Sequence, residues 1–122
     1  MFATENEPLL YAVSFLSDTD NAVPVVDLTE VIADEEDGVI GGGQVSNIVW
    51  DPAGYRLVVA YKHTSLLSVF STKAGSTLAF TPCGWIRGQK DEFPTCMEFQ
   101  VLIIDIVLAL YFMVFLSNYL LI

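Results

Sequence analysis

Short runs of alternating apolar and polar residues fill the first hundred positions of the chain, and turn-forming residues separate them. The runs predict strands at residues 9–15, 23–32, 45–50, 56–61, 66–71, 77–80 and 95–100. None of the runs shows the 3.6-residue period of an amphipathic helix. The pattern therefore predicts an all-β architecture for residues 1–100.

The clearest local signal is the turn sequence Asp51-Pro52-Ala53-Gly54, which lies between the runs 45–50 and 56–61. Asp at the first position, Pro at the second and Gly at the fourth are typical of a type I turn. Two alternating runs joined by such a turn predict a β-hairpin. With the next two runs, the hairpin makes a four-strand unit of the size of one WD-type propeller blade.

The number of strands sets how much of a propeller this region can supply. The runs 9–15 and 23–32 would be the last two strands of a preceding blade, and 95–100 would open a following one. The chain would then hold about one and three-quarter blades, whereas a propeller ring contains about four to eight. We therefore predict a partial WD-type β-propeller whose strand edges and apolar faces need neighbours.

The last 22 residues differ from the rest, because 19 of them are apolar or aromatic and only Asp105 is charged. A helix of this length would extend about 33 Å, enough to cross a hydrocarbon layer of about 30 Å. Insertion of the apolar side chains outweighs the cost of one carboxylate near the helix end. The hydropathy therefore predicts a transmembrane helix from Val101 to Ile122, following a β-rich domain at residues 1–100.

Charge divides the chain in the same way. Residues 1–51 carry eleven acidic and no basic residues, whereas all five basic residues lie between positions 52 and 100. The net charge is −10 and no two Lys or Arg residues are neighbours, which argues against a nucleic-acid-binding surface. Because Arg87 and Lys90 precede the tail and no basic residue follows it, the β-rich part should stay on the cytosolic side of a membrane.

Residues with catalytic or ligand-binding chemistry are few. His63 is the single histidine, and no Ser or Cys nucleophile shares a recognisable motif with it. Cys83 and Cys96 are interpreted as free thiols of an intracellular β-protein. The acidic residues 34–37 lack the ligand spacing of an EF-hand, and no Lys-Ser or Lys-Thr follows the glycines at 41–43. We therefore expect neither an enzyme nor a cofactor or metal site.

Several motifs follow one another between residues 7 and 99. They are EPLLYAVSF, VVDLTEVI, SNIVWDPAGYRLVVAYK, LLSVFST and AFTPCGWIRG, and a strand at residues 94–99 comes after them. In this combination they resemble the C-terminal propeller blades of the aladin family, which are WD-repeat nucleoporins of the nuclear pore complex. The WDPxGxRL hairpin alone occurs in many WD blades, whereas its combination with a turn at residues 82–88 is specific. The resemblance ends at Gln100, where the apolar tail begins.

The resemblance implies a non-enzymatic scaffold that supports nucleocytoplasmic transport through protein–protein contacts. It implies docking to other nucleoporins, including a transmembrane nucleoporin, at the nuclear pore complex and the nuclear envelope. We expect a structural role for the residues in and beside the two turns, which are Trp50, Asp51, Pro52, Gly54, Pro82, Cys83 and Gly84. The ring of Trp50 is expected to pack between neighbouring sheets.

The tail supports a second hypothesis. The chain would be a single-span, C-terminally anchored membrane protein with a small acidic β-rich cytosolic domain and a role of its own. The pair Gln100-Val101 can also be encoded across a splice-donor sequence, so an intron-derived origin of the tail stays open. In each case the apolar sequence predicts membrane contact through residues 101–122.

Overall fold

The computed structural model describes residues 1–13, 21–73, 78–89, 92–101, 106–112 and 117–121. All regular elements in these residues are β-strands, which confirms the predicted all-β class. Residues that fit a pleated surface, such as Val, Ile, Tyr and Phe, are frequent in them. The strands are β1 (Phe2–Ala3), β2 (Leu9–Val13), β3 (Ala22–Asp27), β4 (Val31–Asp34), β5 (Val39–Gly41), β6 (Val45–Trp50), β7 (Arg56–Tyr61), β8 (Leu66–Lys73), β9 (Ala79–Arg87), β10 (Pro94–Val101), β11 (Ile106–Phe112) and β12 (Ser117–Leu121).

These strands form antiparallel sheets in which, among the described residues, each strand pairs only with its neighbours in sequence. β1–β3 form the N-terminal sheet, β6–β9 the central sheet and β10–β12 the C-terminal sheet, and β4 and β5 form a separate hairpin. The central sheet contains the four-strand unit predicted from residues 45–80. Its first two strands have the predicted bounds.

The central sheet is buried on both of its faces. Along β7, Leu57 and Val59 belong to one buried cluster, whereas Val58 and Ala60 belong to another. Successive side chains of a strand point to opposite faces, so the two clusters lie on opposite sides of the sheet. A strand with an unbroken run of buried residues requires a neighbouring layer on each side.

The neighbouring sheets supply these two layers. Leu10 of the N-terminal sheet and Leu28, which follows β3, pack with Leu57 on one face. Met97 of β10 packs with Val58 on the other face. The described part of the chain is therefore a stack in which the central sheet lies between the N-terminal sheet and the first strand of the C-terminal sheet.

The run 23–32 forms two strands rather than the single strand that the sequence predicts. β3 ends at Asp27, whose Oδ1 accepts hydrogen bonds from the N–H and the hydroxyl of Thr29 at 2.9 and 2.6 Å. These bonds lower the pKa of Asp27 and redirect the chain before β4 begins at Val31. The alternation of apolar and polar residues continues from Val26 to Thr29, so the hydrophobic pattern does not reveal the break.

Four other strands differ in their bounds from the prediction: β8 is observed at Leu66–Lys73 rather than 66–71, β10 is observed at Pro94–Val101 rather than 95–100, and the other two are described next. The strand predicted at 9–15 is observed from Leu9 to Val13, and its last two residues lie outside the described part of the chain. The strand predicted at 77–80 begins at Ala79 and continues to Arg87. Residue 77 also lies outside the described part.

The helix predicted from Val101 to Ile122 is wrong for the described part of the tail, which forms strands. β10 continues to residue 101 and pairs with β11, with Phe99 opposite Leu108, and β11 pairs with β12. Half of residues 101–122 are β-branched or aromatic, which favours strands, whereas hydropathy reports apolarity irrespective of secondary structure. Asp105 lies outside the described residues. Within the residues that are described, no helix has the length and apolarity needed to cross a membrane.

Candidate functional site

One end of the central sheet, here named the Trp50 end, consists of Trp50, the turn at residues 51–55, Thr72 and Phe80. The indole N–H of Trp50 donates to the Thr72 hydroxyl at 3.2 Å, and this hydroxyl donates to the carbonyl of Gly54. Thr72 is only 5% exposed. The Trp50 ring also contacts Phe80, with 5.9 Å between the ring centroids. These contacts join β6, β8, β9 and the turn.

Asp51 closes the turn with its own backbone and side chain. Its carbonyl accepts a hydrogen bond from the N–H of Gly54 at 2.9 Å, as in the predicted type I turn, with Pro52 at the second position. Its Oδ2 accepts a hydrogen bond from the N–H of Tyr55 at 3.0 Å. Gly54 has a φ of 79°, a conformation that glycine adopts without a steric penalty. These contacts agree with a structural role for Asp51, Pro52 and Gly54.

Trp50 lies at the margin of the covered face, although we expected its ring between two sheets. Its side chain is 36% exposed, and its aromatic contact is to Phe80 of the same sheet. The reason is its position as the last residue of β6, at the end of the sheet, where it pairs with Leu57. The sequence analysis missed Thr72 as its partner. The only available signal was the alternation that places residues 68, 70 and 72 on one face of β8.

The residues Pro82, Cys83 and Gly84 form a β-bulge inside β9 rather than the turn that the sequence predicts. Pro82 pairs with Phe70 and Gly84 pairs with Val69, which leaves Cys83 without an opposite residue. Pairing resumes on both sides of the bulge, so the strand continues. A proline and a bulge in the last strand of a sheet oppose the addition of another strand at that edge.

The other end of the central sheet, here named the Arg87 end, consists of Arg87, the β7–β8 turn at residues 62–65 and the β4–β5 turn at residues 35–38. The Arg87 guanidinium donates to Asp34 at 3.1 Å and to Asp37 at 2.8 Å. Asp34 also accepts the N–H groups of Asp37 and Glu36. The Asp37 N–H makes the largest contribution to lowering the Asp34 pKa, and Glu36 and Arg87 add to it against an opposing effect of burial.

Two neutral contacts fix the hairpin to the same end of the central sheet. The Thr64 hydroxyl donates to the carbonyl of Ile40 at 2.6 Å. The Trp85 ring lies against Gly41 so closely that a Cβ atom at this position would collide with it. A larger residue at position 41 would therefore have to displace the Trp85 ring.

A cavity of about 460 Å³ opens beside Arg87, with His63, Ile40 and Phe93 among the residues that line it. The described residues give the His63 side chain no hydrogen bond to a hydroxyl or a carboxylate. In the same residues, no three His, Cys, Asp or Glu side chains are close enough to hold a metal ion. Cys83 and Cys96 are free and exposed.

The outer face of the N-terminal sheet carries an exposed aromatic pair. Tyr11 follows the buried Leu10 on β2 and so points to the opposite side, where it pairs with Phe2 of β1. The two rings are stacked with centroids 5.4 Å apart and an interplanar angle of 14°. The Tyr11 hydroxyl donates to Glu7, and this bond is the main cause of its raised pKa. Phe2 is 41% exposed, so this face is a candidate docking surface.

The sequence analysis did not identify the Arg87 ion pairs or the Phe2–Tyr11 pair. Both depend on residues that are brought together only by strand pairing and hairpin docking. No protein-family model matches the chain. The candidate surfaces are therefore interpreted from their geometry together with the motif resemblance.

Proposed function

We propose that this chain is a non-enzymatic scaffold component of the nuclear pore complex, similar to the aladin family, and that its sheets act as WD-type propeller blades. It would support nucleocytoplasmic transport by contacting other nucleoporins at the nuclear envelope. The observation that carries the proposal is the stack of antiparallel sheets around the central sheet.

A propeller blade must be buried on both of its faces. A sheet of an isolated β-sandwich does not need burial on both faces. In a propeller each four-stranded sheet packs against a neighbour on either side. Here Leu10 covers the Leu57 face of the central sheet, and Met97 covers the Val58 face. Strands before and after the central sheet in sequence supply the two layers, as consecutive blades would.

The motifs that carry the aladin resemblance lie within this stack. The turn at residues 51–54 closes the first hairpin of the central sheet, and the bulge at 82–84 interrupts its last strand. Both features are built from Pro and Gly at special backbone positions. They support the interpretation of residues 45–87 as one blade.

The exposed aromatic pair supports the docking part of the proposal. None of the described strands covers the outer face of the N-terminal sheet, and uncovered sheet faces associate with further sheets or partners. Phe2 and Tyr11 place stacked rings on one of these faces. Aromatic side chains are frequent at the centres of protein interfaces.

The test uses the full chain with a fluorescent protein fused to its C-terminus, expressed in cells. We expect enrichment at the nuclear rim and co-precipitation with the transmembrane nucleoporin to which the aladin family docks. Phe2→Lys places a charge on the outer face and should weaken both signals severalfold. An even distribution through the cell, without capture of that nucleoporin, would contradict the proposal.

Val23→Lys is the matched control. Val23 is 55% exposed and pairs with Ala12, which alternates away from Tyr11, so this charge enters the other face of the same sheet. Rim enrichment should remain with this variant. Equal losses with Phe2→Lys and Val23→Lys would show that the aromatic pair is not the docking surface.

A further inference from the structure

A second cavity, of about 190 Å³, lies between the β4–β5 hairpin and the face of the central sheet that carries Leu57. Its walls are mainly apolar and include Leu28, Val31, Phe70, Pro82 and Trp85. An engineered cavity of about 150 Å³ in another protein stays dry and binds benzene. The present cavity is thus large enough for a molecule of one six-membered ring.

Two buried hydroxyl groups belong to the same cavity wall. Tyr61 is 2% exposed and Ser68 is 6% exposed, and their oxygen atoms are 2.6 Å apart in a hydrogen bond. Burial raises the pKa of Tyr61 to about 12, so both groups are protonated at neutral pH. Two hydroxyls contain two hydrogens, and their mutual bond uses only one. The described residues give neither oxygen atom a second hydrogen bond.

A single unused donor in an apolar wall defines the chemistry that complements it. A neutral ligand with one acceptor oxygen would satisfy that donor and bury its own apolar body. Asp27 is among the residues that line the cavity, and the hydroxyl and N–H of Thr29 lower the pKa of its carboxyl group, so Asp27 carries a negative charge at neutral pH. Anionic ligands are therefore disfavoured.

We propose that this cavity, here named the Tyr61 cavity, binds small neutral molecules that combine one apolar ring with a carbonyl oxygen. The ring contacts Val31, Phe70 and Trp85, and the oxygen accepts the hydrogen bond from the Tyr61–Ser68 pair. The site is separate from the docking face that carries Phe2 and Tyr11. Its test does not depend on assembly into a propeller.

The test is a titration of the full chain with cyclohexanone, followed by NMR of the two tryptophan indole N–H groups. Trp85 lines the cavity, whereas Trp50 lies at the other end of the sheet and serves as an internal reference. Methylenecyclohexane has nearly the same shape but no acceptor oxygen. We expect cyclohexanone to shift the Trp85 signal and to bind about two- to tenfold more tightly than methylenecyclohexane.

Two variants locate the ligand. Val31→Trp should block the cavity, because Val31 lines it and is 49% exposed, so the larger ring can enter without disturbing the core. Ile32→Trp is the matched control, since Ile32 is the next residue of β4 and is 68% exposed. Binding should be lost in the first variant and retained in the second.

The hydroxyl pair is tested by the double variant Tyr61→Phe/Ser68→Ala. It removes both partners of the hydrogen bond together, so no buried hydroxyl is left unpaired and folding should persist. The preference for cyclohexanone over methylenecyclohexane should disappear. The proposal is overturned if the wild-type chain binds both probes equally, or if Trp85 does not respond up to the solubility limit of cyclohexanone.

Discussion

The two ends of the central sheet are held together in different ways. At the Trp50 end, neutral hydrogen bonds join Trp50, Thr72 and Gly54 within a single sheet, and Thr72 is buried. At the Arg87 end, exposed charges join the sheet to a separate hairpin through Asp34 and Asp37. The first end stabilises the sheet itself, whereas the second holds one element against another.

This difference indicates how each end should respond to its surroundings. Buried neutral hydrogen bonds do not depend on salt or on pH near neutrality. Exposed ion pairs are screened by salt and are lost when the carboxylate is protonated. We therefore expect mutations at the Trp50 end to change global stability, and changes at the Arg87 end to alter only the docking of the hairpin.

The largest effect is expected from Thr72→Val. This variant keeps the volume but removes the hydroxyl that serves both the Trp50 indole and the Gly54 carbonyl, so the free energy of unfolding should fall by about 2 kcal/mol. Urea unfolding followed by tryptophan fluorescence measures this change. Ser71→Ala, at the preceding and more exposed position of β8, should have little effect. Equal losses in the two variants would show that the Thr72 hydroxyl is not what stabilises the Trp50 end.

A smaller loss is expected from Gly54→Val. Nothing within 4 Å obstructs an added Cβ at Gly54, so the cost comes from its φ of 79° alone. We expect about 1–2 kcal/mol in the same unfolding experiment, because β-branched residues resist this conformation. Gly54→Asn should lose less, since Asn tolerates positive φ. If Val and Asn are equally tolerated, the turn has a different backbone conformation.

A mutation at the Arg87 end should change the local stability of the β4–β5 hairpin but not the global stability of the chain. Arg87→Gln removes both ion pairs, and we expect an unchanged urea midpoint with faster amide hydrogen exchange in β4 and β5. Arg56→Gln is the control, because Arg56 is also exposed but donates to the backbone of Tyr55 at the Trp50 end. A large drop in the unfolding midpoint of Arg87→Gln would show that the hairpin contributes to the core.

The smallest expected effect is a dependence of hairpin docking on pH. The pKa of Asp34 is lowered in the folded state from its usual value near 3.8. Its contribution is therefore complete above that value and is lost as the pH falls through the lower folded pKa. Below about pH 4, amide exchange in β4 and β5 should accelerate relative to β6 and β7. Asp34→Asn should reduce this difference, and a pH response confined to β6 would contradict the assignment.

The sequence predicted local strand structure well where pattern and turn chemistry agree. β6 and β7 have their predicted bounds because the Asp51–Gly54 turn and the alternating runs point to the same hairpin. The break at Asp27 was missed, since it depends on hydrogen bonds with Thr29 inside a segment where apolar and polar residues keep alternating. The bulge at Cys83 was missed because Pro and Gly, which lie on either side of Cys83, are as typical of turns as of bulges.

The tail shows a different limit of sequence-based inference. The apolar content of the tail alone does not distinguish a helix from strands. The strand β11 depends on pairing with β10, in which Phe99 lies opposite Leu108. The contacts within the candidate sites could not be predicted from the sequence either. Arg87 is separated from Asp34 by 53 residues, and no local pattern connects them. The Tyr61 hydroxyl reaches Ser68 because the register of β7 and β8 places Ser68 opposite Val59, on the same face as Tyr61.

Pairing between consecutive strands also affects how the chain would emerge from the ribosome. Each sheet of the described chain can form as soon as its own strands are synthesised, because none waits for a distant partner. Leu67, however, is covered by Met97, which is translated 30 residues later. At roughly 5–20 residues per second, this apolar face stays open for about 2–6 seconds. That interval is the period in which a nascent chain of this fold would most need a chaperone.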